Sequence, residues 1–234
     1  MKIRTVVILT VAVAVAITLF STTVFVTGFA QFWQPYQMHR YSGGMMGIYN
    51  GGMMGAKGEI LTIQQATQMM QSTPSYAKVF PNNNTIVFTS KDISIFALAI
   101  MPDRAVNLTG MQPPSYSQGD VFVIYTLINP VLVMPNGASV HFTISNLDDD
   151  MYHNLVVSSI GPPYPYMAMQ GMMHSSTFPV MYMMPFLSPA DYAQSVAHEY
   201  SYTLTFNQPG PMWYLCTYPG HAQLGMYGQI VVKN

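Results

Sequence analysis

The sequence predicts an all-β sandwich of short antiparallel strands, preceded by a membrane-spanning helix and one short additional helix. Three observations predict this arrangement. Eight short segments rich in β-branched and aromatic residues follow residue 85, an uncharged apolar run lies near the amino terminus, and one amphipathic stretch lies between them. Pro, Asn and Gly turns separate the eight segments, and short strands at this spacing are typical of a β-sandwich.

The amino-terminal run is long enough to cross a bilayer. Residues 5–30 contain no charged side chain, and about 20 apolar residues are sufficient for a transmembrane helix. Lys2 and Arg4 precede the run, so the positive-inside tendency places the rest of the chain outside the cytoplasm. We therefore expect residues 1–30 to form a single-pass anchor in the cell membrane. A cleaved signal peptide is the alternative, because the run ends in GFA, with small residues around a possible cleavage site.

A glycine-rich tether is predicted between the anchor and the folded domain. Residues 31–58 contain the motif GGMMG twice, and glycine at this density disfavours a packed element. The methionines of this segment are either soft thioether ligands for Cu(I) or flexible apolar residues with no metal role. Residues 59–234 then form one domain, and its first part, 59–71, has apolar side chains at the spacing of a short helix.

Strands fill the rest of the domain. In the segment ASVHFTIS, Val140, Phe142 and Ile144 fall on one face and polar residues on the other, as in a half-buried strand. Residues 161–192 are too rich in Pro and Met for an ordered strand ladder, so we expect a long loop there. The eight predicted strands are TIVFT, ISIFALAI, VFVIYTLI, ASVHFTIS, HNLVVSS, EYSYTLTF, PMWYLCT and YGQIVVKN.

Charged residues are scarce in this chain. Asp, Glu, Lys and Arg make up 7% of the residues, and the formal net charge is −1. There is no basic patch to neutralise phosphates, which excludes a nucleic-acid partner. Because few carboxylates are present whose protonation could weaken the fold, we expect an acidic, extracytoplasmic setting such as that of an acidophile. A secreted domain without acid adaptation is the alternative.

A group of soft metal ligands lies near the carboxyl terminus. Cys216 is the only cysteine, so it cannot form an intrachain disulfide. His221 follows it after four residues and Met226 after four more, and a hairpin loop could bring all three together. The best candidate for a second imidazole is His153, at the start of the predicted strand HNLVV. Two imidazoles and a thiolate in a plane, with a long axial thioether, form the blue-copper arrangement.

The other four histidines, and the cysteine itself, also have simpler interpretations. His141 lies on the polar face of its strand, which favours an exposed strand residue. His39, His174 and His198 sit in or beside predicted loops, without a ligand at useful spacing. A buried, inert thiol is the alternative for Cys216.

The sequence YLCTYPGHAQLGMYGQIVVKN, together with VHFTISN, HNLVV and GPPYPYM upstream, resembles the rusticyanins and archaeal sulfocyanins, blue-copper proteins of the cupredoxin family. The likeness covers roughly residue 118 to the end. It implies a cupredoxin-like Greek-key β-sandwich that holds one type 1 copper ion per chain. His153, Cys216 and His221 match the equatorial ligands of the family, and Met226 matches the axial ligand.

The resemblance also implies further features of the site and the fold. Asn154 matches a position that in many cupredoxins ties the two ligand-bearing loops by hydrogen bonding. The apparent anchor and tether favour the sulfocyanin side of the family. Apart from the resemblance, aromatic residues flank the ligands in sequence. Either they form a dry, apolar shell around copper, which predicts a high reduction potential, or they are ordinary core residues. These aromatic residues are Tyr152, Tyr164, Tyr166, Trp213, Tyr214, Tyr218 and Tyr227.

The resemblance implies a carrier of single electrons between Cu(II) and Cu(I), and not an enzyme. Its redox partners would be an upstream electron donor and a terminal oxidase of a respiratory chain. Multicopper enzymes need clustered histidines, usually as His-x-His pairs, and a binuclear oxidase-type centre needs two cysteines; this sequence has neither. A copper-delivery protein that uses the Met-rich segments is the main alternative. A zinc site is less consistent with the sequence, because thioether is a poor zinc ligand.

Overall fold

Two packed β-sheets form the domain in a computed structural model that describes residues 58–169, 180–182 and 184–234. One sheet has six strands in the order β1-β11-β8-β4-β5-β6, and the other has seven in the order β10-β9-β12-β13-β7-β3-β2. Because consecutive strands often lie in different sheets, the chain crosses repeatedly between the two layers. The predicted all-β sandwich is therefore confirmed.

The strands of the first sheet are short at its edges and long at its centre. They are β1 (Glu59–Thr62), β4 (Asp92–Ile100), β5 (Val121–Ile124), β6 (Leu127–Ile128), β8 (Ala138–Asn146) and β11 (Val196–Phe206).

The second sheet contributes the strands that lead into the ligand loops. They are β2 (Ala77–Phe80), β3 (Thr85–Phe88), β7 (Val131–Pro135), β9 (Val156–Ser158), β10 (Val180–Tyr182), β12 (Gly210–Leu215) and β13 (Tyr227–Lys233).

The main core lies between the two sheets. The predicted inward face of β8 is confirmed, since Val140, Phe142 and Ile144 have no exposed surface. Opposite them in the other sheet, Tyr214 of β12 and Ile230 of β13 are also fully buried. Alternation along β8 thus places apolar side chains inside the sandwich and polar side chains on its outer face.

A second apolar cluster covers the outer face of the first sheet. It joins α1 (Ile63–Gln71) and α2 (Pro102–Thr109) to that face through Ala66, Met70 and Ala105, which are fully buried. Thr62 caps α1, because its side chain accepts a hydrogen bond from the backbone N–H of Gln65 while the Gln65 side chain returns to the cap. The helices therefore shield this sheet from solvent.

The helix predicted over residues 59–71 is correct only from Ile63 onward. Residues 59–62 form β1, which pairs antiparallel with β11. Tertiary pairing with a sheet edge here outweighs the helical spacing of the apolar residues. Helix α2 was not predicted; it begins with Pro102 and ends at Gly110, which has a φ of 70°, so both of its termini carry the residues typical of helix ends.

Three strand pairs differ from the predicted antiparallel arrangement. β4 pairs parallel with β8, and β7 pairs parallel with both β13 and β3. In addition, the predicted strand VFVIYTLI is a hairpin of β5 and β6, because Tyr125 and Thr126 both have positive φ. The alternation of apolar and polar side chains along one strand predicts neither the direction of its partner strand nor a turn within the segment.

The segment predicted as a long loop contains one short strand. β10 lies within it and pairs with β9, while residues 170–179 fall outside the described residues. The predicted anchor (1–30) and most of the tether (31–57) also fall outside them. Neither described helix has the length and hydrophobicity that crossing a bilayer requires.

A buried carboxylate lies where the edge strand β1 joins the sheet. Glu199 of β11 is 5% exposed and pairs in register with Glu59 on one side and Ser145 on the other. The Oε2 atom of Glu199 and the Oγ atom of Ser145 have no hydrogen-bond partner among the described residues. Burial, together with the nearby Glu59 carboxylate, raises the pKa of Glu199 from 4.5 to about 7.

This raised pKa predicts a fold that is more stable in acid. Because the folded state holds the proton of Glu199 more tightly than the unfolded state, the contribution is fully present below pH 4.5 and is lost as the pH rises through about 7. We expect Glu199→Gln to remove on the order of 2 kcal/mol of the difference in unfolding free energy between pH 4 and pH 8. Urea unfolding of the full-length chain at both pH values measures it.

Asp92→Asn, which changes an exposed carboxylate of β4 in the same sheet, is the matched control. This control should retain the pH dependence of the natural chain. Equal pH dependence in the Glu199→Gln variant and the natural chain would show that the buried carboxylate does not govern acid stability.

Candidate metal centre

Three side chains from two loops meet at one end of the sandwich. His153 precedes β9 and is held by a bridge to Leu187, whose backbone N–H donates to the His153 carbonyl at 2.7 Å. Cys216 directly follows β12, and His221 lies in the loop between β12 and β13. Because β9 and β12 are neighbours in the second sheet, their ends bring the histidine and the cysteine side by side.

The ligand atoms of these residues form a nearly equilateral triangle. The Cys216 Sγ atom lies 3.8 Å from His153 Nδ1 and 3.6 Å from His221 Nδ1, and the two Nδ1 atoms are 3.2 Å apart. A circle through the three atoms has a radius of about 2.1 Å, within the range of about 2.0–2.3 Å for zinc bonds to His nitrogen and Cys sulfur. The triangle thus fits a metal ion of this size.

The triangle is buried, and contacts within and around it favour a thiolate at Cys216 and a proton on the His153 ring, which metal binding at Nδ1 would displace. Cys216 and His153 have no exposed surface, and His221 is 5% exposed. Burial alone would raise the pKa of the Cys216 thiol, but its contacts with the two imidazoles outweigh burial and lower this pKa to about 6. A thiolate is the form that binds metal. Burial likewise opposes protonation of His153, yet contacts with Asp148 and Cys216 raise its pKa to about 9.

Met226 lies in the same loop and is fully buried. Its backbone N–H donates to the His221 carbonyl at 2.9 Å, and its carbonyl accepts from the Cys216 N–H at 3.1 Å. One hydrogen bond therefore joins the two ends of the loop from Cys216 to Met226, and the other ties Met226 to His221 within it. The axial role of the Met226 thioether stays a prediction.

Asn154 links the two ligand-bearing loops, as the resemblance implied. Its side-chain Oδ1 accepts from the backbone N–H of Thr217 at 2.8 Å, and its Nδ2 donates to the Thr217 hydroxyl at 2.9 Å. Both residues are buried. Since Asn154 follows His153 and Thr217 follows Cys216, this pair of bonds fixes the distance between two ligands.

Asn129 makes a second set of hydrogen bonds to the ligand loop, which was not predicted from the sequence. Asn129, which is buried and has a φ of 47°, donates from Nδ2 to the Gly225 carbonyl at 3.0 Å and to the Ser117 hydroxyl at 2.9 Å. Gly225 has a φ of 98°, and a side chain there would clash with the backbone of Tyr116. The hydrogen bonds of Asn129 thus fix the turn just before Met226. No motif relates residues this far apart in sequence.

Two carboxylates behind the imidazoles were also not predicted. Asp148 Oδ2 lies 3.3 Å from His153 Nε2, and Asp120 Oδ2 lies 4.0 Å from that atom and 3.8 Å from His221 Nε2. Burial is the main cause of the raised pKa of Asp120. For Asp148, burial acts in the same direction but hydrogen bonds from His153 and Asp150 outweigh it and lower its pKa. The sequence NLDDDMY reads as a turn, which gives no sign of this contact.

Aromatic rings cover the histidine near the surface. The Tyr218 ring lies 4.7 Å from the His221 ring, measured between centroids. Phe186 packs edge-on against Tyr218 at 5.6 Å, and Tyr152 stacks near it at 6.3 Å. Of the aromatic residues expected around the site, Tyr152 and Tyr218 are therefore part of this shell. Phe186 was not predicted.

The histidines excluded from the site are placed as follows. His141 lies on β8, where its Nδ1 atom is 3.1 Å from the Thr203 hydroxyl on β11, away from the ligand triangle. His198 lies within β11 and not in or beside a loop as predicted. His39 and His174 fall outside the described residues.

Sequence comparison places the chain among known copper proteins. Residues 129–233 match the family described as copper binding proteins, plastocyanin/azurin family. A rusticyanin of Acidithiobacillus ferrooxidans strain ATCC 23270 is 30% identical over 156 residues, which cover 65% of this chain and 69% of that protein. A second rusticyanin from Acidithiobacillus ferrooxidans is 26% identical over 172 residues, covering 74% of this chain and 94% of the relative.

The fold agrees with this relationship. The 1.27 Å structure of rusticyanin from Thiobacillus ferrooxidans superposes with a TM-score of 0.56 at 23% identity, covering 75% of this chain and 96% of that one. The preference for the sulfocyanin side depended on residues outside the described part of the chain, and it stays a prediction. From its sequence relatives and its fold, this chain belongs to the rusticyanin-like cupredoxins, a family of copper-binding proteins.

Proposed function

We propose that this protein is a type 1 blue-copper electron carrier, with His153, Cys216 and His221 as equatorial ligands and Met226 as the axial ligand. The observation that carries the proposal is the triangle of two imidazole nitrogens and one sulfur with sides of 3.2–3.8 Å. Soft thiolate and thioether ligands favour Cu(I), while imidazole suits both oxidation states. One site that accepts both states supports transfer of single electrons.

Burial of the ligands favours a carrier over an enzyme. His153, Cys216 and Met226 have no exposed surface, and only His221 reaches solvent, at 5%. A substrate would have to contact the metal directly, whereas an electron can enter or leave through a ligand ring. The His221 ring, bordered by Tyr218, is the ligand group nearest to solvent, so we assign it as the point of electron exchange.

Replacing the sulfur tests the ligand set. We expect Cys216→Ser to abolish the intense visible absorption of the copper-loaded full-length protein, because the absorption requires a thiolate bound to Cu(II). His141→Gln, which changes a histidine outside the triangle, is the matched control and should keep both the colour and one copper per chain. The measurements are a visible spectrum and metal analysis after Cu(II) addition.

Three results would contradict the proposal. Blue absorption that persists in Cys216→Ser would show that the sulfur is misassigned. Loss of the colour in the His141→Gln control would place the site elsewhere. Several colourless Cu(I) ions per chain, bound in place of one strongly coloured copper, would favour a delivery protein that uses the Met-rich segments.

We further propose that the protein acts at the outer face of the cell membrane, between an upstream donor and a terminal oxidase. The uncharged run at residues 5–30 and the basic residues before it support this location. The few carboxylates and the raised pKa of Glu199 support an acidic environment.

Fractionation of cells that express the full-length chain tests the location. We expect the intact chain to remain with membranes after an alkaline wash and to keep its amino-terminal residues by mass spectrometry. Recovery of a shorter chain in the soluble fraction, cut after the apolar run, would instead identify a cleaved signal peptide.

A further inference from the structure

The carboxylate of Asp148 is buried directly behind one of the proposed copper ligands. The Asp148 side chain has no exposed surface, and neither does that of His153, whose Nε2 atom it approaches to 3.3 Å. The other ring nitrogen of His153, Nδ1, points into the ligand triangle. The imidazole therefore lies between the proposed metal position and a carboxylate.

The surrounding loop holds the Asp148 carboxylate in place. Its Oδ1 atom accepts hydrogen bonds from the backbone N–H groups of Asp150 at 3.1 Å and Met151 at 3.3 Å. Its own backbone N–H donates to the side chain of Asn146, and its carbonyl accepts from Ala190. One carboxylate oxygen is thus bound by backbone groups, and the other faces the His153 ring.

We propose that Asp148 is a positioning residue for His153 that also sets the copper potential. Its carboxylate accepts the Nε2–H of His153, which leaves Nδ1 as the nitrogen available to copper, and its negative charge favours Cu(II) over Cu(I). This inference rests on the ligand set proposed above. Carboxylate partners of metal-bound histidines fix ring orientation and tautomer and make the ligand more basic.

The charge of Asp148 opposes the effect of the apolar shell. A dry shell disfavours the higher charge of Cu(II) and raises the potential, which is the prediction from the sequence. A buried negative charge near the ligand acts in the opposite direction, and little solvent is present to screen it. The half-buried Asp120 carboxylate, 3.8–4.0 Å from both imidazole Nε2 atoms, adds to the negative field. The shell and the carboxylates together determine the potential.

Asp148→Asn in the copper-loaded full-length protein tests the charge. The substitution keeps the size of the side chain and removes its negative charge. A charge within about 4–6 Å changes the ionisation equilibrium of a neighbouring group by about tenfold or more. The Asp148 carboxylate is separated from the metal position by the imidazole ring, but little solvent screens it there, so we expect a change of similar size. At pH 7 and a fixed ambient potential, the ratio of Cu(I) to Cu(II) should rise by about tenfold or more, as measured by spectroelectrochemistry of the blue band.

Asp149→Asn is the matched control, because it removes the same charge one residue away at an exposed position, where the carboxylate pairs with Arg104 and not with the His153 ring. We expect it to change the Cu(I) to Cu(II) ratio by less than about twofold, since solvent screens exposed charges. If Asp148→Asn keeps the blue band and shifts the ratio no more than Asp149→Asn, the proposal is wrong. Absence of a blue band in the natural protein would instead overturn the ligand set.

A measurement on the natural protein applies even if Asp148→Asn fails to fold or to bind copper. In the Cu(I) form, nuclear magnetic resonance of the His153 ring should show an Nε2–H proton that exchanges slowly with water, because the carboxylate accepts it in a buried site. Exchange as fast as that of the half-buried His141 ring would overturn the proposal.

Discussion

The structure depends on keeping one thiol and two imidazoles in contact inside a dry interior. Polar groups are costly to bury unless they are bonded, so these side chains need partners that hold them. The described residues supply such partners: Asn154 joins the loops that carry His153 and Cys216, and Asn129 holds the turn before Met226. These supporting hydrogen bonds, and not the three side chains alone, therefore set the distances between the ligand atoms.

The sandwich explains why those partners are available. Antiparallel pairing within the second sheet brings the ends of β9 and β12 together, and β13 returns from the ligand loop directly beside β12. Cys216 and Met226 thus adjoin strands whose backbones are already fixed, and His153 lies just before β9. The long loop connecting β8 to β9 adds Asp148 behind His153, so the same geometry that positions a ligand also brings a charge close to it.

Sequence reasoning located the ligand residues but not the groups that support them. Cys216, His221 and Met226 lie at regular spacing in one loop, so local sequence was sufficient to propose them. His153 was proposed from its place at the start of a predicted strand, and the resemblance supported it, whereas Asn154 required the resemblance. Asn129 and Asp120 depend on chain crossings that bring distant segments together, and alternation along a strand does not encode them. Asp148 lies only five residues before His153, but the conformation of that loop, which the turn-like sequence does not reveal, brings the two side chains together. Alternation located most of the strands, whereas the strands β1, β2, β7 and β10, the parallel pairing and the helix α2 were not predicted. Parallel pairing depends on which distant strands meet, whereas α2 carries local signals at both ends.

X-ray absorption at the copper edge of the loaded full-length protein tests the central claim most directly. The account predicts one sulfur and two nitrogen scatterers at about 2.0–2.3 Å from a single copper, with the sulfur lost in a chain that lacks the thiol. A shell of nitrogen and oxygen alone, or of several sulfurs, would contradict it, because the ligand triangle would then not be the copper site.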